Sequence, residues 1–145
     1  MAVILQVPLV VQRKSMECWY ASVCMVAYFR EAGPRLGIPE KWVANNGINL
    51  VDFITLAKTE GLLSLMTPAQ DLTSQQLEVI LSNNGPIWCA GKWDGFPHIV
   101  VLTGVDGNTV YINDPNPAKQ RRMETLAWFN QKLDKIPNCM MFKPR

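Results

Sequence analysis

The sequence lacks most of the residues that metal sites and disulfide frameworks require. It has one histidine, and its four cysteines are widely spaced without a C-x-x-C pair. Zinc sites use clusters of such residues, and small disulfide-stabilised domains carry cysteines at high density. The sequence therefore argues against both. We expect buried free thiols at Cys24, Cys89 and Cys139, in a reducing compartment.

Charge and long apolar runs are also scarce. Charged residues make up 18% of the chain and the net charge is +2, which gives no reason to expect nucleic acid or a membrane surface as a partner. The densest basic run, residues 119–122, is expected to be a solvated face. No apolar stretch approaches the length of a membrane span, and residues 1–8 lack the basic leader and apolar core of a secretion signal. If the protein leaves its cell, we expect a dedicated secretion system, or a longer polypeptide, to carry it.

What the sequence does have is the composition of a globular domain, with 48% hydrophobic residues in a chain of 145. That length suits a single domain over residues 1–145. After an extended segment, the first half has helical patterns at residues 18–30, 39–46, 50–60 and 73–82, the last with Thr73 and Gln76 as a capping box. The second half predicts strands at residues 87–92, 98–105, 109–113 and 138–143, and a helix at 123–133. Helices first and antiparallel strands second predict an α+β fold.

A thiol and an imidazole form the first candidate site. Cys18 begins the first predicted helix, where unpaired backbone N–H groups and the helix dipole favour the thiolate. His98 lies eighty residues later at the start of a strand and is the only imidazole in the chain. Taken alone, each has an ordinary structural interpretation, as a small buried thiol or a core histidine. Together they are two parts of a cysteine-based acyl-transfer site.

Asp114 ends the strand that follows His98, across a hairpin predicted at residues 106–108. A three-residue loop would pair Val105 with Thr109. His98 would then lie diagonally from Asp114 on one face of the sheet, close enough for the carboxylate to hold the imidazole. A strict two-residue loop would place the two side chains on opposite faces. A catalytic pair therefore requires an odd-length loop or a β-bulge; otherwise Asp114 is a plain strand-ending residue.

Gln12 precedes Cys18 by six positions. Its side-chain amide could donate to the oxyanion that forms when the thiolate attacks a carbonyl, with the Cys18 backbone N–H as the second donor. A solvated loop amide is the structural alternative.

These segments resemble those of a known family. Gln12-x5-Cys18-Trp19, continued by residues 20–22, resembles the active-site segment of papain-like cysteine proteases. Residues 95–101 and 111–115 resemble the histidine and aspartate segments of compact bacterial relatives, with Asp114 where papain itself has asparagine. Those relatives include peptidases that trim bacteriocin leaders after a double glycine, and effector proteases that bacteria deliver into other cells.

The resemblance implies a papain-like fold, with an N-terminal helical part packed on a C-terminal antiparallel sheet. It implies an endopeptidase for protein or peptide substrates, with Gly-Gly-like cleavage sites as one option. Cys18 would be the nucleophile, His98 the acid and base, Asp114 its orienting residue and Gln12 an oxyanion donor, with no cofactor. The candidate substrate contacts are Trp19, Trp93 and Phe96, whereas Trp88 is at least as well explained as a core residue.

The same resemblance suggests a biological setting, namely a toxin domain delivered into the cytoplasm of a target cell. A cognate immunity or inhibitor protein is then expected in the producing cell. Two alternatives stay open. A glutamine deamidase or transglutaminase could use the same triad, and a binding module could keep the fold without activity.

Overall fold

The computed structural model describes residues 2–12, 18–29, 55 and 61–144. The elements in these ranges are β1 (Val3–Ile4), α1 (Cys18–Tyr28), β2 (Leu63–Ser64), α2 (Ser74–Asn84), β3 (Ile87–Gly91), β4 (His98–Asp106), β5 (Thr109–Asp114), β6 (Gln120–Thr125), α3 (Leu126–Lys132) and β7 (Met140–Phe142). The helices predicted at residues 39–46 and 50–60 lie outside the described residues, apart from Thr55, which is helical.

The described strands form one antiparallel sheet in the order β2-β7-β3-β4-β5-β6. Strand β1 pairs with the far end of β4, beyond the part that β3 covers. Helices packed on a sheet of antiparallel strands confirm the predicted α+β class.

Strands β3 and β4 are buried on both faces of the sheet, which explains their almost continuous apolar sequence. Alternate side chains point to opposite sides. Trp88 and Val101 belong to the core cluster that contains the α1 residues, whereas Cys89 and Val100 belong to the cluster that contains residues of α2 and α3. Helices therefore lie against both faces, with α1 on one and α2 and α3 on the other.

Helix α1 is apolar on nearly all sides because it is enclosed, with residues 21–27 all buried. The exception, Ser22, donates its hydroxyl to the carbonyl of Ile99 at 3.3 Å. The indole of Trp88 donates to the carbonyl of Trp19, also at 3.3 Å. These bonds hold the N-terminal part of α1 against β3 and against the start of β4, where Ile99 follows His98.

The capping box predicted for the next helix is present. The backbone N–H of Gln76 donates to Thr73 Oγ1 at 3.1 Å, and the Thr73 N–H donates to Gln76 Oε1 at 2.8 Å. The helix begins at Ser74 and ends at Asn84, before Gly85 with φ of 80°.

The hairpin between β4 and β5 differs from the three-residue loop expected. Asp106 pairs with Thr109, so the loop has two residues, Gly107 and Asn108. Gly107 has φ of 57°, a conformation that favours glycine at the first central position of a tight turn. With this loop alone, His98 and Asp114 would face opposite sides of the sheet.

A β-bulge at Thr103 returns the side chains of His98 and Asp114 to the same side of the sheet. Leu102 pairs with Ile112 and Gly104 with Tyr111, so Thr103 is the extra residue. Its hydroxyl donates to the carbonyl of Tyr111 at 3.1 Å. The bulge is the second of the two arrangements that a catalytic pair was expected to require.

Residues 120–125 correct two expectations. The helix predicted from residue 123 begins only at Leu126, and the preceding residues form β6, paired with β5 along its whole length. The strand lacks an apolar alternation because it lies at an edge of the sheet, where Met123 is exposed. Its ladder depends on backbone hydrogen bonds, which the side-chain pattern does not reveal. The basic run at residues 119–122 is therefore not uniformly solvated, because the side chain of Arg122 is only 11% exposed.

Candidate active site

His98 and Asp114 form a buried hydrogen-bonded pair. His98 is the first residue of β4 and Asp114 the last of β5, so both lie at the same end of the hairpin. Nε2 of His98 lies 2.7 Å from Oδ1 of Asp114, and the two side chains are 5% and 0% exposed. The carboxylate therefore fixes the plane of the imidazole.

Cys18 is the first residue of α1, the helix that packs against the start of β4. Its side chain is close enough to His98 to contribute to the pKa of the imidazole. Because Nε2 faces Asp114, Nδ1 is the ring nitrogen available to the sulfur. The thiol is partly exposed, as a nucleophile that meets a substrate must be.

The electrostatics of the pair favour an imidazolium ion. Burial opposes a charge on His98, but hydrogen bonds to Asp114 and Cys18 and the charges of both groups outweigh it, and the pKa of His98 is raised from 6.5 to about 9. Burial also opposes the charge on Asp114, yet hydrogen bonds from His98, the Asn116 backbone and Arg122 keep the pKa of this carboxyl below its usual value. A carboxylate and an imidazolium are thus held together where β4 begins and β5 ends.

Gln12 is brought to the same end of the sheet by its backbone. The segment from β1 onward follows β4 and β5, because Leu5 N–H donates to the Thr103 carbonyl at 2.9 Å and the Asn113 amide donates to the Val7 carbonyl at 3.2 Å. Gln12 N–H then donates to the carbonyl of Pro115 at 2.8 Å. The backbone of Gln12 is therefore anchored one residue beyond Asp114.

The three candidate substrate contacts lie in different environments. Trp19 and Trp93 are each 1% exposed, and Trp93 packs against Trp128 and Phe129 at centroid distances of 5.2 and 5.4 Å. Both indoles fill the core, so neither offers a surface to a substrate in this structure. Phe96 is different, being 50% exposed with its ring centroid 6.0 Å from that of His98.

The remaining thiols are less exposed than Cys18. None of the four cysteines forms a disulfide, and Cys24, Cys89 and Cys139 are buried. Burial raises the pKa of the Cys89 and Cys139 thiols, which keeps them protonated and poorly nucleophilic. Among the described residues, no group of three or more metal-ligating side chains could hold an ion. Within the same ranges, the helices are too short or too polar to cross a membrane.

Arg122 is a site residue that the sequence interpretation missed. It comes from β6, and its Nη1 donates to Oδ2 of Asp114 at 2.9 Å, opposite the oxygen that faces His98. A basic residue in a run of polar residues gives no signal of such a contact. In a strand, successive side chains point to opposite faces, so Arg121 and Arg122 would face different ways. This inference requires that the strand is recognised first, and the sequence pattern did not predict it.

Chemically, the arrangement combines a thiol, an imidazole raised in basicity and a carboxylate. These are the parts needed to generate a thiolate, attack an acyl carbon and protonate a leaving group.

The sequence matches a known family of cysteine proteases. A sequence model of the protein family described as "papain-like cysteine protease AvrRpt2" matches residues 1–134. The matched stretch includes Cys18, His98 and Asp114.

Solved peptidase domains have the same fold. A double glycine motif protease from an AMS/PCAT transporter, solved in complex with the leader peptide, has a TM-score of 0.65 at 22% identity, over 99% of this chain and 95% of that one. The peptidase domain of Streptococcus ComA, described as a bifunctional ABC transporter in a quorum sensing pathway, has a TM-score of 0.69 at 20% identity, over 94% and 98%. The peptidase domain of Streptococcus mutans ComA has a TM-score of 0.55 at 19% identity, over 92% and 96%.

Proposed function

The chain belongs to the family of papain-like cysteine proteases, and we propose that it cleaves protein chains with a triad of Cys18, His98 and Asp114, assisted by Gln12. The observation that carries the proposal is the buried contact of His98 Nε2 with Asp114 Oδ1 at 2.7 Å. The Cys18 side chain supports it as the second group that raises the pKa of His98. We take residues 1–145 to be one catalytic domain.

In the first chemical step, the Cys18 thiolate attacks the carbonyl carbon of a peptide bond. The imidazolium of His98 then gives its proton to the amine nitrogen, the C–N bond breaks, and a thioester remains on Cys18. Water, deprotonated by the now neutral imidazole, attacks this thioester. The acid is released and the thiolate–imidazolium pair is restored. Asp114 holds the ring and stabilises its charged form throughout.

The oxyanion of the tetrahedral intermediate needs two donors. The backbone N–H of Cys18 is one, since helix α1 begins at this residue and its first N–H groups have no partner within the helix. The side-chain amide of Gln12 is the second, supported by the backbone bond that anchors Gln12 beside Pro115. Loss of one such donor costs about 3 kcal/mol of transition-state stabilisation, or about a hundredfold in rate.

The substrate is proposed to be an extended peptide segment. The double glycine motif protease that shares the fold was solved with a leader peptide, and this supports a peptide as the ligand of this chain. We propose that Phe96 contacts the substrate next to the scissile bond, because half of its side chain is exposed beside His98. Gly-Gly-like cleavage sites are the first sequences to test.

For the biological setting, we propose a bacterial effector or toxin domain that acts in the cytoplasm of a target cell. The support is the resemblance of the three motifs to compact bacterial effector proteases. A cognate immunity protein in the producing cell would then bind the domain and block Cys18.

The test is expression of the wild type in a sensitive bacterium with proteome-wide mapping of new protein N-termini. We expect new N-termini in the wild type and none with Cys18→Ala or His98→Ala. Cys24→Ala is the matched control, because it removes a thiol from the same helix away from the imidazole, and it should behave as the wild type.

The outcomes separate the candidate functions. No new N-termini in the wild type would contradict a peptidase acting on these proteins. Glutamine residues converted to glutamate, without new fragments, would indicate a deamidase on the same triad. Peptides that contain Gly-Gly, compared with the same peptides containing Ala-Ala, then test the site preference.

A further inference from the structure

Arg122 lies at the centre of a network of carboxylates behind the triad. Its guanidinium contacts Asp94 through two hydrogen bonds of 3.1 Å, Glu124 at 2.9 and 2.8 Å, and Asp114 at 2.9 Å. The cation also lies 5.0 Å from the ring centroid of Trp128. With its side chain only 11% exposed, Arg122 is held from four directions.

Asp114 uses both carboxylate oxygens because of this contact. Oδ1 faces His98 Nε2 at 2.7 Å and accepts from the Asn116 N–H at 2.9 Å. Oδ2 accepts from Arg122 Nη1. A carboxylate bonded on both oxygens cannot rotate, and the side chain of Asp114 is fully buried. The orientation of the oxygen that holds His98 therefore depends on what holds the other oxygen.

We propose that Arg122 is a positioning residue for the triad, which fixes the Asp114 carboxylate so that Oδ1 faces His98. The proposal rests on the proposed triad mechanism. Arg122 touches neither the thiol nor the imidazole, and it acts through Asp114.

An arginine suits this position better than a lysine. The planar guanidinium presents five donors in a fixed fork and stacks on an aromatic ring, whereas an ammonium is a strongly hydrated point charge. Here the fork reaches carboxylates on three different segments, namely Asp94 in the loop between β3 and β4, Asp114 at the end of β5 and Glu124 in β6. The same loop carries Phe96, so the contact with Asp94 also ties the loop beside His98 to the triad.

The electrostatic consequence has a definite sign. The charged groups around Arg122 are Asp94, Asp114 and Glu124, with Trp128 of α3 covering one side and His98 beyond Asp114. Removal of the guanidinium deprives the buried Asp114 of its second cation, which disfavours the carboxylate. A carboxylate that is less firmly held and less readily charged stabilises the imidazolium less, so formation of the thiolate–imidazolium pair shifts to higher pH.

The test is the pH dependence of Cys18 alkylation by iodoacetamide, followed by mass spectrometry of the Cys18 peptide. In Arg122→Gln we expect the acid limb of the rate profile to move up by about one pH unit, or roughly a tenfold slower alkylation on that limb. Arg121→Gln is the matched control, because this exposed arginine precedes Arg122 in the same strand and its side chain points to the other face. It should leave the limb unmoved.

Two further variants keep the proposal open to refutation. Arg122→Lys keeps the positive charge but loses the planar set of guanidinium donors. The acid limb of its alkylation profile should therefore lie between those of wild type and Arg122→Gln. If Arg122→Gln does not fold, Asp94→Asn combined with Arg122→Gln keeps the net charge and should show the same shift. Folding of each variant is checked by thermal unfolding, since a merely structural role would lower stability without moving the limb.

The results distinguish this proposal from the proposed function. A folded Arg122→Gln with an unmoved acid limb would overturn the role of Arg122 while leaving the triad intact. An equal shift in Arg121→Gln would overturn it as well, as a general charge effect. A wild type in which Cys18 reacts no faster than an ordinary thiol would refute the triad itself, and the role of Arg122 with it.

Discussion

His98 Nε2 and Asp114 Oδ1 are 2.7 Å apart, although the residues are separated by 16 positions and a hairpin turn. The contact depends on one extra residue, Thr103, which bulges out of β4 and returns the two side chains to the same face of the sheet. The pairing that would orient the catalytic imidazole is therefore a consequence of strand register.

The first prediction concerns the charge of His98. The chain has one histidine, so the proton on ring carbon Cε1 gives a single titrating NMR resonance. We expect the midpoint to give a pKa of about 9 in the wild type, above the ordinary value of 6.5 for histidine. Asp114→Asn removes a hydrogen bond and a negative charge, and the pKa of His98 should fall by about one unit or more. Asp71→Asn is the control, because this carboxylate is 77% exposed and contacts Lys135. An unchanged midpoint in Asp114→Asn would contradict the coupling.

The second prediction concerns stability against pH. The pKa of His98 is raised in the folded state, so protonated His98 stabilises the fold. That contribution is complete below pH 6.5 and is lost as the pH rises through about 9. It amounts to at most about 3.5 kcal/mol, since one pKa unit corresponds to about 1.4 kcal/mol. Denaturant unfolding across this range should show a decline in the free energy of unfolding that is weaker in His98→Gln. An identical decline in both proteins would rule the contribution out.

The third prediction concerns selectivity among the four thiols. At mildly acidic pH, iodoacetamide should modify Cys18 well before Cys89 and Cys139, because burial raises the pKa of those two thiols. His98→Ala should remove the advantage of Cys18. Peptide mapping by mass spectrometry after timed labelling measures both. Uniform slow labelling of the accessible cysteines would favour a binding module without activity.

The fourth prediction concerns Gly104, which follows the bulge and pairs with Ile4 of β1. A Cβ at this position would lie 2.9 Å from the Val3 carbonyl oxygen and 3.0 Å from Ile4 Cα. Gly104→Ala must push two backbones apart and should destabilise the protein by about 1–3 kcal/mol in denaturant unfolding. Gly95→Ala is the comparison, since nothing lies within 4 Å of its added Cβ and only its φ of 93° is unfavourable. A larger effect at Gly95 would show that backbone conformation, rather than close approach, governs these sites.

Much of the fold could be predicted because it depends on local chemistry. The capping box of Thr73 and Gln76 lies within one turn of helix, so its residue types predict its geometry. The apolar run of residues 87–91 predicts a buried strand, and the strand is buried at every position. The helix that starts at Cys18 and the order of helices before strands were predicted for the same reason.

Other features could not be predicted, because they depend on contacts between distant segments. Strand β6 has no apolar alternation and exists through its backbone ladder with β5. Trp93 could equally have lined a groove, but Trp128 and Phe129 from α3 enclose it in the core. Arg122 has the sequence context of a surface residue, and only the arrival of Asp94 and Asp114 from other strands and loops withdraws it from solvent.

The sequence by itself determined which groups are available, namely a thiol at a helix start, a single imidazole and a carboxylate at a strand end. Side-chain chemistry and short-range patterns are properties of the chain, and they can be recognised without coordinates. The tertiary structure decided whether those groups meet. The two-residue turn and the bulge at Thr103 together decide which residues of β4 and β5 share a face of the sheet. Backbone hydrogen bonds set this register, and they depend little on the identity of the side chains. The face on which His98 and Asp114 point was therefore settled only when the strands paired and packed.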